Sequence, residues 1–233
     1  MAAGPVPDRA AREHVRTFAP RWRNSPLTDE RMATLLPARE VPEGPLVPAE
    51  AFGRVGPVVL EIGSGHGAAA VAFCAAHPDV DLVAVEVHVP GVARMLAAAE
   101  EAGVDNLWVH PGDAVPFLAD RVAPASLDAV HLFFPDPWPK HRHAKRRFLQ
   151  QHTLDLLASR LVRGGLLRVA TDSDRYAAHA RTQLARHGRW SVVEGDRPRW
   201  RPDDGFEAKG VRAGRVVTEL SCTLTIRAHR ASG

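Results

Sequence analysis

The sequence predicts an α/β protein, a mainly parallel sheet of seven strands with helices on both faces. Three observations predict it. From about residue 57 onward, short apolar runs of strand character alternate with helical patterns, the arrangement from which parallel sheets are built. The first run ends in a glycine-rich turn, Gly63-Ser64-Gly65-His66-Gly67, that opens directly into a helical pattern. In the last run Leu220, Cys222, Leu224 and Ile226 alternate with Ser221, Thr223 and Thr225, so that strand buries one face.

In chain order, residues 1–50 are rich in Pro and Arg with only short helical patterns, which predicts an N-terminal basic arm, partly flexible. The folded domain is expected over 51–228, with a short tail at 229–233. Its strands are predicted at 58–62, 82–87, 107–110, 129–134, 166–171, 191–194 and 216–226. Helices are predicted at 68–77, 92–102, 146–161 and 176–187, with one short helical turn after Asp113.

Composition narrows the function classes. Hydrophobic residues make up 45% and charged residues 24% of the 233-residue chain, ordinary values for a globular protein. No apolar run reaches the length of a membrane span and the first fifteen residues lack the apolar core of a secretory signal, so a cytoplasmic protein is expected. Cys74 and Cys222 are far apart and have no His partners at ligand spacing, so neither zinc nor a disulfide is expected, and both read as core residues. The net charge is +3, and only three of the thirty cations are lysines. Arginine binds phosphate in a bidentate manner and stacks on bases, so this surface suits RNA. The clusters are Arg9/Arg12/Arg16/Arg21/Arg23, then Arg142/Lys145/Arg146/Arg147, then Arg197/Arg199/Arg201.

Acidic residues mark the strand ends. Gly63 and Gly65 let the backbone turn sharply and approach a ligand. Taken alone, the spacing Gly63-x-Gly65-x-x-Ala68 also fits a dinucleotide fingerprint. Glu61, however, lies inside an apolar strand end, where a carboxylate is costly unless partnered, and a cationic amino-acid moiety is a suitable partner. Glu86 closes the second strand, where an acid can hold both hydroxyls of a ribose. Asp113 follows the third strand, placed to accept from an adenine amine with the Ala114 N–H beside it, or to cap the next helix. Together Glu61, Glu86 and Asp113 describe a pocket for S-adenosylmethionine better than one for a dinucleotide.

After the fourth strand comes Phe134-Pro135-Asp136-Pro137-Trp138-Pro139-Lys140. Proline fixes its own φ and biases the preceding residue toward extended geometry, so Asp136 is expected on a stiff loop in a nearly fixed direction. The basic run from Lys140 to Arg147 is expected to grip phosphates, and its two histidines beside so many cations make a poor metal site. The fifth strand ends in Asp172, and Gly205-Phe206-Glu207-Ala208-Lys209-Gly210 precedes the last strand.

Over about residues 14 to 227 the chain resembles the bacterial tRNA (guanine-N7)-methyltransferases. The motifs are L-E-I-G-S-G-H-G, V-E-V-H-x-P-G-V, G-D-A, L-F-F-P-D-P-W-P-K-x-R-H-x-K-R-R, A-T-D and F-E-x-K-G. The resemblance implies a Rossmann-like S-adenosylmethionine-dependent methyltransferase fold whose last strand is antiparallel, a tRNA substrate, and 7-methylguanosine in the variable loop as product. It implies cofactor binding by Glu61, Glu86, Asp113 and Asp136, with Asp136 also catalytic, and Gly63, Gly65 and Ala114 are expected beside them in the same pocket. Lys140, Asp172 and the segment through Glu207, which includes Asp204, match substrate-binding positions. Asp204 stands where the family usually has Thr, and an aspartate accepts a hydrogen bond but does not donate as a hydroxyl does. Arg16-Thr17-Phe18-Ala19 resembles the family's basic N-terminal segment. The protein is expected to be a monomer or weak homodimer, with no metal and no membrane partner.

Guanine N7 has an available lone pair at neutral pH, so the reaction needs orientation rather than a strong base. Asp136 is expected to stabilise the charge that develops on the base, while Asp172 and Glu207 position its N1 and N2 donors. Three other readings stay open: an adenine-N6 methyltransferase, in which the aromatic follows two prolines; an NAD-dependent oxidoreductase; and a non-catalytic RNA-binding subunit.

Overall fold

The computed structural model describes residues 24–203 and 214–225. Strands β1 (Val58–Ile62), β2 (Asp81–Val85), β3 (Leu107–His110), β4 (Leu127–Phe133), β5 (Leu161–Thr171), β6 (Trp190–Glu194) and β7 (Thr218–Leu224) form one seven-stranded sheet in the order β3-β2-β1-β4-β5-β7-β6. The pairs among the first five strands are parallel, and β7 runs antiparallel to both β5 and β6. The chain therefore reverses its direction of travel across the sheet between β1 and β4. In an open α/β sheet this switch point leaves a crevice at the carboxyl ends of the strands.

β1 and β2 are buried along their whole length because both sheet faces are covered. Helices α3 (Ala68–Ala76) and α4 (Val89–Ala102) cover one face, where Val59, Ala84 and Leu82 meet Phe73, Met95 and Leu96. Helices α5 (Ala114–Asp120), α6 (Gln151–Arg160) and α7 (Asp174–His187) cover the other, around Leu60, Val83, Val130 and Val169. Cys74 and Cys222 lie on opposite faces, both buried and free. Burial pushes the Cys222 thiol up to about 12.

Three differences from the sequence-based expectation have physical causes. First, the stretch 24–50 contains ordered packing rather than arm alone. Helix α1 (Pro26–Leu35), capped by the Ser25 hydroxyl accepting from Thr28 N–H, lies against α4, and a short helix α2 (Pro48–Phe52) follows. Glu40 and Leu46 form parallel bridges to Val109 and Val122, and Val41 and Leu46 are buried. Isolated apolar residues among prolines carry no periodicity, so the sequence pattern does not reveal this. Residues 1–23 lie outside the described residues.

Second, α6 begins at Gln151 rather than at 146, because Gln150 and Thr153 form a reciprocal capping box. The basic run before it makes a separate 3-10 helix, His141–Arg146. Third, β5 starts at Leu161, five residues earlier than expected. Its register against β4 shifts there, and Gly164, with φ of 78°, absorbs the irregularity.

Candidate active site

The carboxyl ends of the parallel strands carry the residues singled out by the sequence. After β1 the backbone passes through three left-handed glycines, Gly63, Gly65 and Gly67, with φ of 71°, 57° and 80°. Nothing lies within 4 Å of a Cβ built on Gly63 or Gly65, so the loop borders open space. Gly67 serves packing instead, since its Cβ would lie 2.2 Å from Met95 Cγ. Gly91 in α4 is equally constrained, because a Cβ there would stand 2.6 Å from the Gly65 carbonyl oxygen. Helix α4 thus docks directly on the glycine loop.

Glu86 ties this loop to β2. Its two oxygens accept from the backbone N–H of Gly65 and of His88, each at 2.7 Å. Each carboxylate oxygen keeps a second lone pair, so the group can still meet a ligand hydroxyl. Asp113 caps α5, its Oδ1 accepting from Val115 N–H at 2.8 Å, with Ala114 as the first residue of the helix.

Glu61 faces His131 across the paired strands β1 and β4. Both are buried, at 2% and 1% exposure, and Glu61 Oε2 stands 3.6 Å from His131 Nδ1, beyond hydrogen-bond reach. Neither atom has a hydrogen-bond partner among the described residues. Burial lowers the His131 pKa, although the adjacent Glu61 carboxylate opposes the shift. Trp200 stacks over His131 at 5.4 Å and Phe73 meets it edge-on at 5.1 Å. A carboxylate oxygen left unpaired in such a place is costly, so Glu61 fits a cationic ligand group.

The Pro-Asp-Pro-Trp loop leaves β4 through Phe134, with φ of 48°, and includes Trp138, with φ of 39°. Each precedes a proline, where extended geometry was expected, yet each lies in the left-handed region, at a cost on the order of 1–3 kcal/mol that the contacts around the loop must offset. Phe134 N–H donates to the Ala170 carbonyl at 2.8 Å and keeps the loop base on β5. Asp136 opens to solvent. Even so, crowding by the loop, and then the Glu86 carboxylate, raise its pKa above the ordinary aspartate range. Asp136 therefore lies within electrostatic reach of Glu86.

On the other side of the loop, Pro137 and Asp172 line a cavity of about 610 Å³ with Asp174, Arg175, Arg215 and Val216. Arg215 Nε donates to Asp172 Oδ2 at 2.8 Å, so a guanidinium occupies the carboxylate expected to receive the base. Lys140 is exposed at the end of the loop, where it caps the 3-10 helix. Asp204, Glu207 and Lys209 lie outside the described residues.

Two arginines of the predicted phosphate-gripping clusters have other roles. Arg147, at 7% exposure, donates to the carbonyls of Pro137 and Trp138 at 2.9 and 3.2 Å. Arg201, at 2% exposure, pairs with Glu219 and lies over the Phe133 and Phe134 rings. By contrast Arg142, Lys145, Arg197 and Arg199 are exposed. Runs of like charge in the sequence do not distinguish a buried guanidinium from a solvated one. The pairing of His131 with Glu61 was equally hidden, because a strand buried on both faces has no alternation to mark which face a residue takes. The aromatic Trp200 just before the Arg201 position was the one available signal.

A family model described as "Putative methyltransferase" matches residues 55–220. The tRNA (guanine-N(7)-)-methyltransferase of Nitrosomonas eutropha is 42% identical over 195 residues, covering 82% of this chain and 87% of that protein. The protein of the same name from Mycobacterium avium is 41% identical and covers 92% of this chain and 89% of its own length. That of Halorhodospira halophila is 46% identical over 78% of this chain and 81% of its own. Among solved structures, the 16S rRNA methyltransferase KamB aligns with a TM-score of 0.56 at 14% identity, covering 81% of this chain and 99% of that one. At that identity it shares the methyltransferase fold. The bacterial relatives share sequence over nearly their whole length, and the chain belongs to the tRNA (guanine-N7-)-methyltransferase family.

Proposed function

We propose that this chain transfers the methyl group of S-adenosylmethionine to N7 of a guanine in the tRNA variable loop, forming 7-methylguanosine in the cytoplasm as a monomer or weak homodimer. One observation carries the reading beyond family membership. The Pro-Asp-Pro-Trp loop is a shared wall, with Asp136 in the field of Glu86 on one side and Pro137 lining the Asp172 cavity on the other.

The residues fit the cofactor. The open loop at Gly63 and Gly65 accepts a ligand close to the backbone, and Glu86 suits a ribose diol. The unpaired Glu61 oxygen suits an α-ammonium group. Asp113 stands at the strand end where an adenine amine would meet it. When bound, S-adenosylmethionine supplies a methyl group made electrophilic by its sulfonium.

The chain's own contribution is chiefly orientation, because guanine N7 carries a free lone pair and no proton need be removed first. Asp136 provides negative charge beside the imidazole edge, where positive charge grows as N7 becomes alkylated. Asp172 and Glu207 accept from the guanine N1 and N2 donors. For Asp172 this requires the Arg215 guanidinium to give way, and a guanine edge offers the same kind of paired N–H donors in exchange. Lys140 meets a phosphate.

The test is methyl transfer from labelled S-adenosylmethionine to unmodified tRNA transcripts, followed by digestion and mass spectrometry of the nucleosides. Label in 7-methylguanosine is the expected result. Label in N6-methyladenosine would favour the adenine-N6 reading, and cofactor binding without any transfer would favour the non-catalytic one.

A further inference from the structure

The loop that carries Asp136 has an unusual hydrogen-bonding problem. Pro135, Pro137 and Pro139 have no N–H, so the segment offers more carbonyl acceptors than donors and cannot satisfy itself. The chain meets the deficit from outside the loop. Arg147 Nε donates to the Pro137 carbonyl at 2.9 Å and Arg147 Nη2 to the Trp138 carbonyl at 3.2 Å. Arg175 Nη1 donates to the Pro139 carbonyl at 2.9 Å. Three successive carbonyls are thus held by two guanidinium groups.

Arg147 is the buried one, and it meets no carboxylate within ion-pair distance among the described residues. A guanidinium placed among carbonyls alone is there for its fixed fan of donors. It is itself anchored at the turn out of the 3-10 helix. Its N–H donates to the Ala144 carbonyl at 3.1 Å, and its own carbonyl accepts from Gln150 Nε2 at 3.2 Å. The carbonyls it holds flank the left-handed Trp138, which is costly to keep in place without such support.

We propose that Arg147 is a positioning residue for the methyl transfer: it holds the Pro137 and Trp138 carbonyls and through them sets the direction of Asp136, rather than gripping an RNA phosphate. The proposal rests on the function given above. It divides the basic run between two tasks, with the exposed Arg142 and Lys145 facing the nucleic acid and Arg147 facing the loop.

The test compares wild-type chain with Arg147→Lys and Arg147→Ala, and with Arg142→Ala as the contrasting variant. Lysine keeps the charge but replaces a planar fan of donors with a single ammonium. In Arg147→Lys we expect kcat to fall at least about tenfold, with tRNA affinity and its salt dependence within about twofold of wild type. Arg142→Ala should do the reverse, weakening tRNA binding and reducing the slope of log affinity against log salt by about one. Amide hydrogen exchange followed by mass spectrometry gives a readout that needs no turnover. The hydrogen-bonded amides that bound the loop, Phe134 on the Ala170 carbonyl and His143 on the Lys140 carbonyl, should exchange about tenfold faster in Arg147→Lys, while peptides from β1 and β2 are unchanged. Added guanidinium should restore part of the Arg147→Ala activity. If alanine leaves the chain unfolded, the lysine variant decides alone. Unchanged kcat and loop exchange with a weakened, less salt-dependent tRNA affinity would overturn the proposal in favour of a phosphate contact. Loss of S-adenosylmethionine affinity and melting temperature in step with kcat would also overturn it, as general support of the fold. Wild-type chain that forms no 7-methylguanosine would refute the proposed function instead, and the exchange rates would still decide whether Arg147 holds the loop.

Discussion

Asp136 sits between two prolines and two left-handed residues, Phe134 and Trp138, so its direction is set by backbone geometry rather than by a side-chain partner. A carboxylate fixed in this way needs no reorganisation when charge develops near it. Asp136→Asn keeps the shape and removes the charge. It should leave tRNA binding intact and lower turnover more than about tenfold, or roughly 1.4 kcal/mol of transition-state stabilisation. The raised pKa of Asp136 adds a pH signature. A carboxyl whose pKa rises on folding favours the folded state when protonated, and that contribution is lost as pH increases through the folded value. Activity runs the other way, because the charged form exists only above that value. The rate should therefore fall as pH is lowered, with a midpoint above the ordinary aspartate value, and Asp136→Asn should lack this acid limb. Glu86 holds the Gly65 and His88 N–H groups, and in the proposed function it also meets the cofactor. Charge-assisted hydrogen bonds are worth roughly 1.5–3 kcal/mol, so Glu86→Ala should weaken S-adenosylmethionine binding about ten- to a hundredfold by calorimetry.

At the level of elements, the glycine loop after β1 depends on the approach of α4. The contact between Gly91 and the Gly65 carbonyl is backbone on backbone, and an alanine methyl there has nothing flexible to displace. Gly91→Ala should lower the melting temperature and weaken S-adenosylmethionine binding together, measured by thermal unfolding and calorimetry on one sample. How legible the elements were from sequence depended on their source of order. β1 and β3 match their predicted bounds because apolar runs between turn residues leave little choice. The start of α6 was missed because the Gln150–Thr153 cap has no distinctive spacing in a run of polar residues. The packed segment around Val41 and Leu46 was missed because two buried side chains make no pattern. The placing of the carboxylates at strand ends was legible because an acid beside an apolar run is out of place. Arg147 and Arg201 were not, since burial of a cation is decided by tertiary partners.

For the whole molecule, strand order brings the two ends of the site together. β1 and β4 are neighbours in space but far apart in sequence, which sets the glycine loop beside the Pro-Asp-Pro-Trp loop. β5 lies next to β4 and places Asp172 at the cavity. In the proposed function the nucleic acid is gripped by the exposed Arg142, Lys145, Arg197 and Arg199. If these contacts neutralise about four phosphates, log affinity against log salt should have a slope of roughly −3 to −4, borrowing the duplex coefficient. A flat profile in a filter-binding or anisotropy titration would show them to be ordinary solvated surface.

In the proposed reaction N7 itself takes the methyl group. The most direct measurement compares transfer to two tRNA transcripts, one made with guanosine and one with 7-deazaguanosine, in which a C–H group replaces N7. The expected result is 7-methylguanosine in the first and no label in the second, with both bound equally. Label entering the 7-deaza transcript at a comparable rate would mean that another atom accepts the methyl, contradicting the account.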